Sequence, residues 1–248
     1  MLNFMFLGTN GSMQGDEGNT SLLFKGSRGT VLVDASCGLG RAVAADVDAV
    51  VLTHEHIDHV YGLPSLIHQL WLSGRRRALD ICVPAGMEEF VHRFLEVFSL
   101  QEKKNMFDFR IRTGRIVSLE TTRQGGYPTM TTLFSTEHTE TSVGLVVREG
   151  EDRVVYTSDT RPIREILPCM AGAQVLIHEA SGCEAEEEIL WKKGHSNGAD
   201  AARLAERLGV GRLYLCHLPE TQELRKKVLE EASAIFPSAC IPPVGKLL

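Results

Sequence analysis

The 248-residue sequence predicts an α/β fold, because short runs rich in Val, Ile and Leu alternate with longer stretches of helical periodicity. A second observation is that conspicuous His and Asp residues directly follow several apolar runs, and α/β proteins usually place their functional groups at strand ends. A third is the composition, with 43% hydrophobic and 23% charged residues, which is ordinary for a globular chain with an ample core. We therefore expect residues 1–248 to form a single domain.

The first half of the chain contains several short apolar runs that predict strands. The first, Met1–Gly8, lacks the basic start of a signal peptide and is too short for a membrane span, so we interpret it as a strand. Thr30–Asp34 ends in a carboxylate, and Asp48–Leu52 has the length and β-branched content of a buried strand. Phe107–Ile111 and Arg115–Leu119 alternate in polarity as strands do.

The second half continues the alternation of strands and helices. The segment between His138 and Asp159 predicts two strands joined by a turn at Gly150, and apolar β-branched runs directly precede Asp159 and His217. Helices are predicted over residues 60–73, 87–98, 161–170, 185–192, 197–208 and 221–235.

The most informative motif is H-x-H-x-D-H, formed by His54, His56, Asp58 and His59 directly after a predicted strand. Three of the nine histidines fall within these six positions, which favours a metal site over a polar loop that happens to contain histidine. Imidazole and carboxylate ligands suit zinc or another borderline divalent metal, whereas closed structural zinc sites are built mostly from Cys. Four ligands this close together indicate a pair of ions.

The motif and its surroundings resemble the metallo-β-lactamase superfamily. The chain has, in order, the Gly turn at Leu7–Thr9, the strand that ends in Asp34, the His-rich loop, and a later His, Asp and His that each follow a strand. The resemblance spans residues 3–218, and it implies a four-layer αβ/βα sandwich with the metals at one edge. It further implies a ligand set of His54, His56 and His138 for one ion, Asp58, His59 and His217 for the second, and Asp159 as the bridge.

A second signature resembles the phosphodiesterase branch that includes ribonuclease Z. Val175–Ser181 contains His-Glu-Ala, and Lys193–Asn197 contains Gly-His-Ser. The resemblance implies that Glu179 holds and polarises His195, and that His195 contacts a phosphate oxygen and assists the leaving group. The alternative for His195 is an ordinary role in a helix cap or solvent loop. Either Ser196 or Asn197 is expected to cap the following helix.

The mechanism implied by the resemblance is phosphodiester hydrolysis. A hydroxide that bridges two divalent ions attacks phosphorus, Asp58 ligates and orients that hydroxide, and His195 donates to the leaving oxygen. Zinc is favoured for both ions, with manganese, nickel and iron as alternatives. Histidines 68, 92 and 178 have no match in the family pattern, and the first two fall on helical patterns that predict surface or packing roles.

The substrate prediction depends on a segment that the chain lacks. Many ribonuclease Z enzymes insert a long RNA-gripping arm after the third metal His, but here only about twenty residues separate His138 from Asp159. We therefore expect a small cyclic or nucleotide phosphodiester, with processing of a transfer-RNA 3′ end as the alternative. A thioester or lactone hydrolase, a redox di-iron protein and a non-catalytic homologue are weaker alternatives. The di-iron branch typically carries Glu at the position of His56.

Charge and cysteine usage narrow the expected partners. The net charge is −6, whereas RNA-binding surfaces normally show a basic excess, so no strong nucleic-acid surface and no membrane partner are expected. The run Arg75–Arg77 is interpreted as a solvated helix end, with contact to a polyanion as the alternative. One of Arg161 and Arg164 is expected either to meet a phosphate or to serve in a helix cap or surface ion pair. Six scattered cysteines predict free thiols in a reducing, cytoplasmic compartment, without an accessory Cys-rich zinc site. Family members are often dimers, so the resemblance also implies a homodimer.

Overall fold

The apolar runs of the first half form one sheet. The computed structural model describes residues 2–13, 15–27, 29–114, 116–118 and 130–248, and in these residues the first sheet has six strands arranged in sequence order. They are β1 (Asn3–Gly8), β2 (Ser21–Lys25), β3 (Thr30–Val33), β4 (Ala49–Val51), β5 (Leu79–Val83) and β6 (Phe109–Thr113). Strands β1 to β3 are antiparallel neighbours, and β3 to β6 are parallel, so the latter point their carboxyl ends toward one edge.

The second sheet repeats this succession of antiparallel and then parallel strands. Within the described part of the chain its strands are β7 (Ile116–Ser118), β8 (Met130–Ser135), β9 (Val143–Glu149), β10 (Asp152–Tyr156), β11 (Val175–Glu179), β12 (Arg212–Cys216) and β13 (Ala239–Cys240). Strands β7 to β10 are antiparallel, and β10 to β13 are parallel. The predicted strands around Gly150 are β9 and β10. Strand β7 falls within the prediction for Arg115–Leu119, whose two end residues lie outside the described residues.

The helices lie outside the two sheets. They are α1 (Leu39–Ala44), α2 (Ile57–Val60), α3 (Leu63–Leu72), α4 (Glu88–Glu96), α5 (Glu187–Lys193), α6 (Gly198–Leu208) and α7 (Gln222–Ile235). Helices α4 to α7 confirm four of the six predicted helices to within about two residues at each end. Helix α6 is capped by Asn197, whose side-chain oxygen accepts a hydrogen bond from the Asp200 amide at 2.9 Å, while Ser196 donates to the Thr160 carbonyl instead.

Three apolar layers among the described residues separate these elements. Between the sheets, Phe4 and Phe6 of β1 pack with Tyr214 of β12, and the rings of Phe4 and Tyr214 meet edge to face at 5.5 Å. The outer face of the first sheet packs on α1, α3 and α4, and that of the second sheet packs on α6 and α7. Burial contributes about 1.5–3 kcal/mol for each large apolar side chain. The arrangement confirms the predicted α/β fold as a four-layer αβ/βα sandwich.

The helix predicted over residues 161–170 is wrong. Only Pro168–Met170 form a 3-10 turn, and Leu167 is extended, with φ −78° and ψ 146°. In a continuous helix the ring of Pro168 would clash with the carbonyl of Arg164, and the residue before a proline disfavours helical geometry. The chain after Asp159 therefore stays irregular.

The helix predicted over residues 60–73 begins later in the structure, at Leu63 of α3, and Val60 belongs instead to the short preceding helix α2. Gly62 lies between the two helices. The Gly62 amide donates to the Ala35 carbonyl at 2.7 Å, and an added Cβ would lie 2.6 Å from the carbonyl oxygen of Ser36 and 2.7 Å from that of Ala35. This close approach fixes the His-rich loop against the segment that follows β3. The short helix α1 was not predicted.

The basic run Arg75–Arg77 is not the solvated helix end that the sequence predicted. Arg75 is only 6% exposed and donates to Asp46 at 2.7 Å and to the Val47 carbonyl at 2.8 Å. Arg77 forms ion pairs with Asp46 and Asp48. These arginines join the end of α3 to the connection between α1 and β4, so their charges are already neutralised.

No helix in the part of the chain that the structure describes is both long enough and apolar enough to cross a bilayer.

Candidate metal centre

The loop after β4 supplies the first four polar groups of the site. Thr53 fixes the start of the loop, because its amide and hydroxyl donate to the two carboxylate oxygens of Asp34 at 2.9 and 3.0 Å. His54 is fully buried, whereas His56 is exposed at the start of α2. Asp58 and His59 lie buried in the first turn of α2. The ring of His54 lies 4.8 Å from that of His56 and 4.1 Å from that of His59.

Asp159 lies at the centre of the site, directly after β10. Its Oδ2 atom is 3.7 Å from Nε2 of His54 and 3.7 Å from Nε2 of His138, which is on the loop between β8 and β9. The same oxygen is 3.4 Å from Nε2 of His59 and 3.1 Å from Nε2 of His217, which follows β12. One carboxylate thus reaches imidazoles from both sheets.

The ligand atoms divide into two groups. The structure places His54, His56, His138 and Asp159 in one group, and Asp58, His59 and His217 in the other, with the ligand atoms of each group within 4.8 Å of one another. All seven residues predicted to ligate metal therefore come together. A third group, formed by Asp159, His195 and His217, has the same property.

Several buried atoms of the site have no hydrogen-bond partner among the described residues. They are Nε2 of His54, Nε2 of His59 and Oδ1 of Asp159. Leaving a buried polar atom unpaired costs about 1–3 kcal/mol, and native structures seldom do so without a reason. A cation would satisfy all three atoms, and mixed imidazole and carboxylate ligands suit a divalent metal.

The electrostatics favour the metal-binding protonation states of His54, His138 and Asp159, but not that of His59. Burial lowers the pKa of His54 and of His138, so both imidazoles stay neutral. Burial by itself raises the pKa of Asp159, but the charges of His217 and His59 hold it well below its usual range. Burial opposes a charge on His59 as well, yet Asp159 and Asp34 raise its pKa well above the ordinary value, so a metal that binds His59 must displace a proton.

Glu179 and His195 form a pair beside the ligand groups. Glu179 ends β11, is fully buried, and accepts hydrogen bonds from the Thr160 amide and the Ser181 hydroxyl, both at 2.6 Å. Nδ1 of His195 lies 3.0 and 3.2 Å from the two carboxylate oxygens of Glu179. Burial by itself lowers the pKa of His195, but the charge and hydrogen bond of Glu179 raise it to about 9. The structure thus gives Glu179 the position that the sequence predicted.

Gly194 allows the loop before His195 to approach His138 closely. Its φ is +81°, and an added Cβ would lie 2.9 Å from Nδ1 of His138, where a side chain does not fit. The Gly194 carbonyl also lies 2.9 Å from that Nδ1 atom. The rings of His138 and His195 are consequently only 4.6 Å apart.

Three residues of the site have left-handed backbone conformations although none is glycine. Asp34, Ser158 and His217 have φ values of 57°, 54° and 48°, and each lies just beyond the end of a strand. Such conformations cost about 1–3 kcal/mol each and cluster at functional sites. The sequence predicted a role for His217 but none for the side chain of Asp34 or for Ser158, because backbone geometry leaves no signal in one sequence.

The remaining histidines lie outside the ligand groups. His68 stacks on Trp71 in α3 with ring centres 5.5 Å apart, and His92 is exposed on α4. His178 is fully buried, with Nδ1 2.7 Å from the Glu179 carbonyl. None of the three belongs to a ligand group among the described residues, in accord with the sequence prediction for the first two.

Fold and site together define an α/β protein with a His- and Asp-rich site suited to a divalent metal. The chain belongs to the beta-lactamase superfamily domain family, whose sequence model matches residues 30–218. It is similar to the protein named Ribonuclease Z of Methanothermobacter thermautotrophicus, with 26% identity over 287 aligned residues that cover 96% of this chain and 93% of that protein. The Ribonuclease Z of Metallosphaera sedula is 27% identical over 288 residues, which cover 98% of this chain and 97% of that protein.

Solved structures share the fold. The metallo-beta-lactamase fold protein YhfI from Bacillus subtilis superposes with a TM-score of 0.79 at 22% identity, covering 100% of this chain and 98% of that one. The short form of human tRNase Z superposes with a TM-score of 0.76 at 18% identity, covering 99% of this chain and 98% of that one. A diphosphatase from the PhnP family superposes with a TM-score of 0.71 at 17% identity, covering 100% of this chain and 97% of that one. At these identities the likeness shows the fold alone.

Proposed function

We propose that this protein is a metal-dependent phosphodiester hydrolase. The observation that carries the proposal is the His195–Glu179 pair, which lies beside both ligand groups: the His195 ring is 4.6 Å from that of His138 and 5.1 Å from that of His217. An imidazole fixed by a carboxylate next to a metal centre can hold a phosphate oxygen and protonate a leaving oxygen. Thioester or lactone hydrolysis has no evident need for this pair. The similarity to proteins named Ribonuclease Z supports the same proposal.

We assign two divalent ions to the centre, with zinc favoured over manganese, nickel and iron. His54, His56 and His138 would hold one ion, and Asp58, His59 and His217 the other. Asp159 would help to hold both ions, because its Oδ2 atom lies within 3.7 Å of an imidazole nitrogen from each group. When bound, such ions lower the pKa of a coordinated water and polarise a phosphoryl oxygen.

Asp58 would orient the attacking water. Its Oδ2 atom lies 3.4 Å from Nε2 of His217 and 3.6 Å from Nε2 of His59. Burial by itself raises the pKa of Asp58, but the hydrogen bond of His217 and the charge of His59 bring it below its usual range. The carboxylate therefore stays ionised at neutral pH and can accept a hydrogen bond from the water.

His195 would act on the leaving group rather than on a metal. Its Nδ1 atom faces Glu179, so Nε2 is the nitrogen left for the substrate. With a pKa near 9 the ring is protonated at pH 7 and can donate to the departing oxygen. Glu179 is a positioning residue in this scheme, because it fixes the ring and its proton without touching the substrate.

Two substrate classes have separate support. A small cyclic or nucleotide phosphodiester fits the absence of an arm between His138 and Asp159, where the chain forms only the β9–β10 hairpin and short loops. A transfer-RNA 3′ end fits the near full-length similarity to proteins named Ribonuclease Z. Homodimer formation and a cytoplasmic location stay predictions from the sequence.

The test compares the two classes directly. Zinc-loaded protein is incubated with a 3′-extended transfer-RNA precursor and with a small cyclic phosphodiester, and an Asp159→Asn variant serves as the control for contaminating nucleases. Cleavage of only the small diester supports a metabolic role, and a clean cut at the 3′ end of the mature transfer RNA supports RNA processing. If both substrates stay intact while two ions are bound, the phosphodiesterase proposal is wrong, and thioesters and lactones are tested next.

A further inference from the structure

We propose that Arg161, Arg164 and Trp191 form a second anion-binding subsite, which holds a phosphate adjacent to the one that is cleaved. The proposal rests on the proposed function and specifies its substrate class: a nucleotide chain that carries more than one phosphate. The sequence left the role of these two arginines open between a phosphate contact and a cap or surface ion pair.

Both guanidinium groups lie against one indole ring. The central carbon of Arg161 is 5.4 Å from the centre of the Trp191 ring, and that of Arg164 is 5.1 Å from it. Nε of Arg161 donates to the Trp191 carbonyl at 2.8 Å, which fixes the direction of that side chain. Trp191 is 39% exposed, so the cluster faces solvent. An aromatic face holds a planar guanidinium while leaving its in-plane N–H groups free for an anion.

The two charges have no protein counter-ion. Among the described residues neither guanidinium lies within 4.0 Å of a carboxylate, and the terminal nitrogens of both have no hydrogen-bond partner. Glu137 and Glu165 line a cleft beside the two arginines but form no ion pair with them. Carboxylates do neutralise other arginines of this acidic chain, namely Arg75, Arg77, Arg93, Arg110, Arg112, Arg203 and Arg225.

Neighbouring contacts hold the cluster in place and add positive charge. Arg207 of α6 donates to the carbonyl of Ile163 at 3.1 Å and to that of Arg164. These bonds fix the irregular segment that carries both arginines, so the cluster does not depend on a flexible loop for its geometry.

Short hydrogen-bonded paths connect the cluster to the metal centre. The amide of Arg161, two residues after Asp159, donates to the Glu137 carbonyl at 3.1 Å, directly beside His138. The Trp191 carbonyl accepts from Arg161 and also from the Gly194 amide at 3.2 Å, and the next residue along the chain is His195. The subsite therefore lies on the rim next to the leaving-group side. Because the phosphates of a nucleotide chain are consecutive, one held at the metals places a neighbour within reach of this rim.

A direct binding measurement tests the subsite independently of turnover. The zinc-loaded protein is titrated into a 5′-fluorescein-labelled hexauridylate with phosphorothioate linkages, and fluorescence anisotropy gives the Kd. Arg161→Ala and Arg164→Ala are each expected to raise the Kd about tenfold and to lower the slope of log Kd against log salt by about one. Trp191→Leu is expected to raise the Kd about two- to fivefold, since the arginines lose the ring that orders them.

Arg93→Ala is the matched control, because it removes the same charge from an exposed position on α4. Arg164→Ala is the decisive variant, because the Arg164 side chain is exposed and packs on Trp191 at the surface, so its loss should leave the fold intact. Arg164→Lys should restore part of the affinity. The subsite is overturned if Arg164→Ala and Arg93→Ala bind the hexamer equally well.

Turnover of bis(4-nitrophenyl) phosphate, a diester without a second phosphate, separates this proposal from the proposed function. In Arg164→Ala the loss of kcat/KM on this diester should be clearly smaller than the loss of affinity for the hexamer, because the subsite has no second phosphate to hold. If Arg164→Ala loses as much kcat/KM on this diester as it loses affinity for the hexamer, the subsite is overturned and Arg164 has a structural role instead. If wild-type protein with two ions bound cleaves neither this diester nor the transfer-RNA precursor and the cyclic phosphodiester, while hexamer binding still requires Arg164, the proposed function fails and the subsite stands.

Discussion

The histidines of the site are oriented mainly by protein contacts at the ring nitrogen Nδ1. In five of them Nδ1 already faces a protein group, so Nε2 is the atom left for a metal or substrate. The partners are Thr53 for His54, Asp34 for His59, Gly194 for His138, Glu179 for His195 and Ser181 for His217. His56 is the exception, because its Nδ1 faces Nε2 of His138 at 3.0 Å and its ring is exposed.

Asp34 is the most constrained of these partners and gives the first prediction. It is fully buried, and it holds both His59, at 2.8 Å, and Thr53. Asp34→Asn removes the charge that orients His59, so we expect zinc affinity to fall about 10–100-fold, as for other groups that hold a ligating His. Competition with a chromophoric chelator measures this. Asp108→Asn, at an exposed ion pair with Arg110, is the control, and equal affinities in the two variants would contradict the role of Asp34.

His195 gives the second prediction. Replacing it with Ala should lower the turnover of bis(4-nitrophenyl) phosphate by about 10²–10⁴-fold, the usual contribution of a general acid. Metal content should stay at two ions per chain, because His195 serves the leaving group. His92→Ala, on the exposed face of α4, should retain full turnover. Unchanged turnover in His195→Ala would remove this residue from the mechanism, and loss of one ion would favour the alternative ligand group with Asp159 and His217.

At this scale the sequence identified the candidate metal ligands and the pair of Glu179 and His195, but it assigned no role to the side chains of Asp34 and Ser181. A motif with fixed spacing identifies His54 or Asp58 because such ligand chemistry has few alternatives. The hydroxyl of Ser181, which connects Glu179 to His217, has no such signal, since serine is common and its partner is 36 residues away.

At the scale of elements, prediction succeeded where periodicity was undisturbed and failed where one residue altered the backbone. Helix α7 matches its apolar periodicity almost completely, and the side chain of Thr221 caps its first turn. The segment 161–170 shows helical composition, but Pro168 prevents a continuous helix. The break between α2 and α3 depends on a contact between Gly62 and the chain after β3, which no local pattern encodes.

Gly62 gives a third prediction, with Gly40 as its matched control. In Gly62→Ala the new methyl group would lie within 2.7 Å of two backbone carbonyl oxygens, those of Ala35 and Ser36, directly after Asp34 in the chain. We expect a loss of about 1–3 kcal/mol in the free energy of unfolding, the usual cost of overpacking. Gly40→Ala meets no atom within 4 Å in α1 and should be neutral or stabilising by about 0.4–1 kcal/mol. Urea unfolding measures both, and equal midpoints would show that the Gly62 contact is not tight.

At the scale of the whole molecule, the site is assembled from both sheets. His54, His56, Asp58 and His59 come from the end of β4 in the first sheet, and Asp159 and His217 follow β10 and β12 in the second. The carboxyl ends of these strands carry the loops of the site. The loops of the two sheets come together because the inner faces of the sheets pack on one shared apolar layer. The sequence predicted that each candidate ligand follows a strand. The packing of the two sheets face to face could be predicted only from the family resemblance, since hydrophobic periodicity does not encode which sheet faces pack together.

Because the candidate ligands come from both sheets, metal binding should stabilise the fold as a whole. A ligand that binds only the native state contributes about 4.1 kcal/mol at a free concentration of 1,000 Kd, and a chain of this size gains roughly 2–4 °C in Tm per kcal/mol. Zinc added to EDTA-treated protein should therefore raise the Tm by roughly 8–16 °C in differential scanning fluorimetry. Asp159→Ala removes the carboxylate shared by the two groups and should abolish most of this shift, whereas His92→Ala should retain it. A full zinc-dependent shift in Asp159→Ala would mean that zinc stabilises the protein at a different place, and the assignment of both ions to this centre would have to be abandoned.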